Sequence, residues 1–226
     1  MIRLKDIKIR EDLTKEQIFQ KAISKNNIKP EEVKNWYIYR KSIDARKKDD
    51  IYYNYSLNIE LKDKIKEKKY EQVKECQFPK INITRNSNYQ PVIIGAGPAG
   101  LFAGLTLVDN GQKPIILERG KKVEERIKDI EEFIQNKNFN VSSNIQFGEG
   151  GAGTFSDGKL NTLVKDKFYR NRLVLETLVQ FGAKESILYE NKPHIGTDKL
   201  SEIVVEMRNA IIAMGGEVHF DSKLTN

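Results

Sequence analysis

Residues 91–118 read Pro-Val-Ile-Ile-Gly-Ala-Gly-Pro-Ala-Gly-Leu-Phe-Ala-Gly-Leu-Thr-Leu-Val-Asp-Asn-Gly-Gln-Lys-Pro-Ile-Ile-Leu-Glu, and this stretch decides the fold. Val92, Ile93 and Ile94 predict a short buried strand, and Gly95, Gly97 and Gly100 follow at G-x-G-x-x-G spacing. Leu101, Leu105 and Val108 recur at helical spacing, and Gly111 marks the end of that helix. Ile115, Ile116 and Leu117 predict a second strand with Glu118 at its tip. A strand, a glycine turn, a helix and a second strand with an acidic end form the setting in which this glycine motif gains specificity.

Each residue type has a chemical reason. The first glycine permits a sharp turn, the second lets a diphosphate approach the backbone, and the third allows close helix–strand packing. The free N–H groups and the dipole at the helix start favour an anion without any basic side chain. Glu118 can accept ribose hydroxyls, and its charge disfavours a 2′-phosphate.

Working outward, the 226-residue chain is long enough for one or two domains. Its 31% charged and 38% apolar composition is that of a soluble globular protein. No apolar run approaches the roughly 18 residues that span a bilayer, and the first residues lack the apolar core of a signal peptide. Cys76 is the only cysteine, so no disulfide can form within one chain and a cytoplasmic setting is expected. It is read as an ordinary thiol. Charge is uneven: residues 1–85 hold 22 Lys+Arg against 14 Asp+Glu, a net of +8, and residues 86–226 hold 17 against 18. A division near residue 86 is expected, between a small basic domain with its linker (1–85) and a nucleotide-binding domain (86–226).

In the first part, Ile2, Leu4, Ile7 and Ile9 predict a strand whose alternation slips once, as at a bulge. Thr14 and Gln17 form a capping box before a helix carrying Ile18, Ala22 and Ile23, and Pro30 starts a short helical turn. Residues 36–43 and 51–61 read as strands around a polar hairpin loop, which makes a β-α-β-β unit. Residues 62–90 read as a lysine-rich linker, with a helical piece at 62–75. Beyond the glycine unit, helices are expected at 122–135, 170–181 and after Thr197 or Asp198 as cap, and a strand at 217–220. Between them, residues 145–162 carry Gly148, Gly150, Gly151, Gly153 and Gly158 with Thr154 and Ser156, a loop rich in backbone donors that can cradle an anion or lie against a flat ring. His194 follows Pro193 in a turn and reads as a packing residue more than an acid–base group.

Two motifs beyond the glycine turn make a resemblance specific. They are the run from Phe147 to Thr162 and Lys192-Pro193-His194-Ile195-Gly196-Thr197-Asp198. With Glu118-Arg119-Gly120, the chain resembles the bacterial family of FAD-dependent (NAD/FAD-utilising) dehydrogenases, over its N-terminal portion. The resemblance implies an α/β fold: a Rossmann-type FAD-binding ββα domain, incomplete at its C-terminal side, preceded by the small α+β domain. It implies FAD, with the diphosphate at Gly95, Gly97, Pro98, Ala99 and Gly100, the adenosine ribose at Glu118, and Arg119 beside it among the cofactor-binding residues. Arg126 would reach the diphosphate or stand as a solvated helix charge. Gly150, Gly151, Gly153, Thr154, Phe155 and Ser156, with Leu160, Asn161 and Thr162, would lie near the ribityl chain or the flavin ring. The implied activity is oxidoreduction, incomplete for catalysis in a truncated chain, with NAD(P)H or another small molecule as electron donor in the complete protein. No side chain is assigned as catalytic.

Two other readings stay open. The glycine fingerprint alone serves NAD as well as FAD. The basic first domain interleaves Trp36, Tyr37, Tyr39, Tyr52, Tyr53 and Tyr55 with Arg40, Lys41, Arg46, Lys47 and Lys48, as a nucleic-acid module would. The absence of an RRM signature argues against that module.

Overall fold

The computed structural model describes residues 1–64, 70–74, 89–160, 166 and 168–225. It is mixed α/β, with two three-stranded sheets and five α-helices among the described residues. The chain folds into two compact units. One comprises Met1–Phe78, Leu163–Leu175 and Glu185–Pro193; the other comprises Pro79–Thr162, Glu176–Lys184 and His194–Asn226.

In the first unit, strand β1 (Ile2–Ile9), helix α1 (Lys15–Lys25), β2 (Val33–Asp44) and β3 (Tyr52–Leu61) make an antiparallel sheet of order β1-β3-β2. The slip in the β1 alternation is a bulge. Register with β3 shifts between Leu4 and Ile7, with Asp6 at φ 58°, and this returns both Leu4 and Ile7 to the buried face. The capping box forms as expected: Gln17 N–H donates to Thr14 Oγ1 at 3.3 Å and Thr14 N–H to Gln17 Oε1 at 2.9 Å. Thus anchored, α1 lays Ile18, Phe19, Ala22 and Ile23 on the sheet, and Phe19 stacks on Trp36 with ring centroids 4.5 Å apart. The linker reading needs correcting at 71–73, where Arg3 N–H donates to Glu71 O and Val73 N–H to Met1 O, both at 3.0 Å, so this stretch lies along β1. Of the helix expected at 62–75, residues 65–69 and 75 lie outside the described residues, and 70–74 are not helical.

The second unit holds the glycine stretch. Strand β4 (Val92–Ile94), helix α2 (Pro98–Asp109) and β5 (Ile115–Leu117) follow in the expected order, then helix α3 (Val123–Asn136). Helix α4 (Arg170–Gln180) comes next in the chain, and α5 (Thr197–Ala213) and β6 (Glu217–His219) close the unit. The three strands are parallel in the order β4-β5-β6, with Ile116 opposite both Ile93 and Val218. Central β5 packs under two helices at Gly104, where an added Cβ would lie 2.8 Å from Ile116 Cδ1 and 2.9 Å from Ile211 Cδ1. Helix α5 is capped by neither Thr197 nor Asp198: Gly196 is its N-cap residue and no side chain caps it. Among the described residues no helix is long and apolar enough to cross a membrane.

Candidate functional site

The three motif glycines serve three different needs. Gly95 takes φ +94°, a conformation that favours glycine, and its N–H donates to Leu117 O at 2.8 Å, closing the turn onto β5. At Gly100 an added Cβ would lie 1.9 Å from Gly95 O, so helix and turn touch there. Gly97 needs neither. Its φ of −73° with ψ −177° is ordinary extended backbone, and the nearest atom to an added Cβ is Gly151 Cα at 3.9 Å. Gly97 is also the N-cap residue of α2. No side chain caps that end, Pro98 occupies the first turn, and no acidic residue lies there. The positive end of the helix dipole is therefore left without a counter-charge from its own first turn.

Beside it lies a groove of about 340 Å³. Its walls are Ile94, Gly95 and Gly97 from the turn, and Leu117, Glu118 and Arg119 from the end of β5. Gln146, Phe147, Gly148 and Gly151 come from the second glycine-rich loop, and residues 222–224 follow β6. The two glycine segments, far apart in sequence, meet here: Gly150 N–H donates to Ala96 O at 2.8 Å.

Glu118 is buried, and its carboxylate already holds three backbone donors. Oε2 accepts from Ala96 N–H at 2.8 Å; Oε1 accepts from Gly120 N–H at 2.8 Å and Gly148 N–H at 3.1 Å. One side chain thus ties the first turn, the end of β5 and the second loop together. Arg119 lays its guanidinium over the Phe147 ring, 4.1 Å from its centroid, and donates to Val141 O at 3.1 Å.

Arg126 matches neither expected role. It is fully buried rather than solvated, and its donors hold carbonyls rather than face the groove. Nε donates to Asn144 O at 2.7 Å and Nη2 to Ile145 O at 2.8 Å. Nη1 reaches Glu149 O at 2.7 Å, Gly151 O at 2.8 Å and Gly148 O at 3.3 Å. Burial pulls this guanidinium down to about 10, opposed by the charges of Glu118 and Glu149, and it stays charged at neutral pH. Phe155 covers it, its ring centroid 4.6 Å from Cζ. The second loop is also less open than its glycines imply. The N–H groups of Gly148, Glu149, Gly150 and Gly151 donate to Glu118, Lys121 O, Ala96 O and Gly148 O, so these four are engaged in holding the loop.

The remaining expected contact residues divide. Pro98 and Ala99 are exposed at the start of α2, and Pro98 Cδ would lie 3.2 Å from a Cβ at Gly151. Thr154 is buried in a short 3-10 turn (Ala152–Phe155), and Ser156 Oγ donates to Gly153 O at 2.8 Å. Phe155 lines a different cavity of about 360 Å³ with Val123, Ile127 and Thr197. Gly153, Ser156 and half-buried Leu160 line neither cavity. Ile195 N–H donates to Gly158 O at 2.9 Å, pairing the loop with the His194 turn, and His194 is exposed. Asn161 and Thr162 lie outside the described residues, as does Cys76.

An ionic cluster was not anticipated from the sequence. Glu149 Oε2 accepts from Val123 N–H at 2.8 Å and Arg208 Nη1 at 2.7 Å, and Arg208 also holds Glu124 through Nη2 at 2.7 Å. A signal was present: Arg208 stands among Val204, Met207 and Ile211 on the buried face of α5. In the first unit, five of the six interleaved aromatics are buried or half-buried; Tyr39 is exposed, with Arg3 3.4 Å over its ring. Among the described residues no group of His, Cys, Asp and Glu could hold a metal ion.

Comparison with known proteins finds a matching domain model and a related protein. A domain of unknown function (DUF8436) matches residues 1–60, the span of the first sheet. An uncharacterized protein of Clostridium beijerinckii is 42% identical over 99% of this chain, which spans 43% of that relative's length. These matches correct the family expected from the motifs. They are to a domain of unknown function and an uncharacterized protein, not to FAD-dependent dehydrogenases, and the reading of the chain as the N-terminal portion of such an enzyme falls with that family.

Proposed function

We propose that the second unit binds FAD, holding its ADP half in the groove between the glycine turn, Glu118 and the Gly148–Gly151 wall, as a Rossmann-type domain serving oxidoreduction. The observation that carries this reading is Gly97. The fold requires glycine at Gly95 for its φ and at Gly100 for its close approach, but at Gly97 for neither reason. A diphosphate approaching an uncapped helix N-terminus supplies the missing reason.

The residues fit that group in size and charge. A volume of about 340 Å³ suits the ADP half better than a whole dinucleotide. A carboxylate offers about four acceptor positions. Glu118 uses three, which leaves Oε2 able to accept one ribose hydroxyl. Its negative charge disfavours a 2′-phosphate at the same place. A bound flavin supplies the hydride and one-electron chemistry; the side chains described here bind and orient, and none is assigned as acid or base.

The test is titration of the purified chain with ADP, FAD, NAD⁺ and 2′-phospho-ADP by calorimetry. Saturable binding of ADP and FAD with comparable affinity is expected, with 2′-phospho-ADP weaker. Gly97→Ala should leave the melting temperature unchanged and weaken ADP at least about tenfold, equivalent to about 1.4 kcal/mol. A folded chain that does not bind ADP at millimolar concentration overturns the site. NAD⁺ binding more tightly than FAD overturns the choice of cofactor.

A further inference from the structure

Glu149 occupies the middle of the second glycine loop, and its side chain is fully buried. Its backbone is held on both sides: its N–H donates to Lys121 O at 3.1 Å and its carbonyl accepts from Arg126. The two carboxylate oxygens differ. Oε2 accepts from the first N–H of α3 and from Arg208 on α5, and Oε1 has no partner among the described residues. Three charged groups face it. Arg208 attracts it from α5, but this guanidinium is shared with Glu124, the like charge in the first turn of α3. Arg126, from the next turn of α3, is the third. The Lys121 ammonium is paired elsewhere, with Asp129 at 2.8 Å.

We propose that Glu149 is a proton-operated latch on the Gly148–Gly151 loop: protonated, it keeps the loop shut on α3 and α5, and ionised, it favours local opening. The physical basis is an ion with one oxygen satisfied and the other buried without a donor. Removing such a carboxylate from water is costly, and half a share of Arg208 does not offset it. Two events relieve the cost. A proton can settle on Oε1, which leaves both bonds to Oε2 in place, or the loop can open and let water reach the carboxylate.

The balance follows from linkage. Burial raises the shut-loop carboxyl from its ordinary 4.5 to about 7. In an opened, hydrated loop it returns to the ordinary value. Between about 4.5 and 7 the shut loop holds a proton that the open loop does not. Rising pH therefore weakens the shut state through that window, by up to about tenfold per unit, with no further change above it. Gly148 and Gly151 are walls of the groove, so the latch governs one side of it whatever ligand enters.

The experiment is amide hydrogen exchange on the ligand-free chain, corrected for the intrinsic pH dependence of exchange. The reporters are the N–H groups of Gly148, Glu149, Gly150 and Gly151. Their protection should fall by up to about a hundredfold from pH 5 to 7 and then level off. Glu149→Gln, which cannot ionise, should give a flat profile. A flat profile in the unaltered chain, or the same slope in Glu149→Gln, overturns the proposal. Should that variant not fold, the ¹³C titration of the Glu149 carboxyl in the unaltered chain decides: a midpoint near 7 supports the latch and one near 4.5 overturns it. None of these readouts involves a nucleotide, so their failure is distinct from failure of the proposed cofactor site.

Discussion

The Glu118 carboxylate accepts the Gly148 N–H at 3.1 Å, a bond that joins the tip of β5 to a loop thirty residues further along the chain. With the bonds from Ala96 and Gly120, it makes Glu118 a structural junction as well as a wall of the groove. Substitution there therefore has two effects that must be measured apart.

Glu118→Ala leaves three buried backbone donors without an acceptor. Each such loss costs about 1–3 kcal/mol, so a destabilisation of about 3 kcal/mol or more is expected. Urea unfolding of the ligand-free chain measures it. A variant as stable as the parent would mean that these donors find other partners.

Gly100→Ala places a methyl group against Gly95 O, where an added Cβ would lie at 1.9 Å. Overpacking of this kind costs about 1–3 kcal/mol. Its melting temperature should fall clearly while that of Gly97→Ala does not, and equal melting of the two variants would remove the distinction between them.

Arg126→Met keeps much of the side-chain volume and removes every donor to residues 144–151. Those carbonyls lose a charged partner, and the loop should become the first site of cleavage in limited proteolysis. Arg126→Lys should restore protection only in part, because an ammonium cannot present the planar fork of a guanidinium. Full rescue by lysine would show that charge alone suffices.

Arg208→Met should shift two carboxyls in the same direction. Arg208 now holds Glu124 below its ordinary range through their hydrogen bonds, and it moderates the upward shift that burial imposes on Glu149. Both should therefore titrate at higher pH without it, as read by carboxyl ¹³C shifts. The stability signs are opposite. The Glu124 contribution is present above its ordinary value of 4.5 and is lost as pH falls through the depressed one. The Glu149 contribution is present below 4.5 and is lost as pH rises towards 7. A fixed Glu124 midpoint in Arg208→Met would show that the pair is not electrostatically coupled in solution.

Much of the fold was legible because it is locally encoded. The strand, turn, helix and strand of residues 92–117, the capping box at Thr14 and the bulge after Leu4 each depend on side-chain periods and turn chemistry within a dozen residues. Those signals do not need to know what packs above them. The groove between the glycine turn and Glu118 was legible for the same reason, since Gly97 and Glu118 stand at the ends of adjacent elements. Tertiary structure alone decided the rest: the central place of β3, the run of 71–73 beside β1, the burial of Arg126 and the Glu149–Arg208 pair across 59 residues. A helical arginine reads the same in sequence whether water or a loop lies over it. Its environment, and hence whether it binds a ligand or gathers carbonyls, is set only when distant segments close around it.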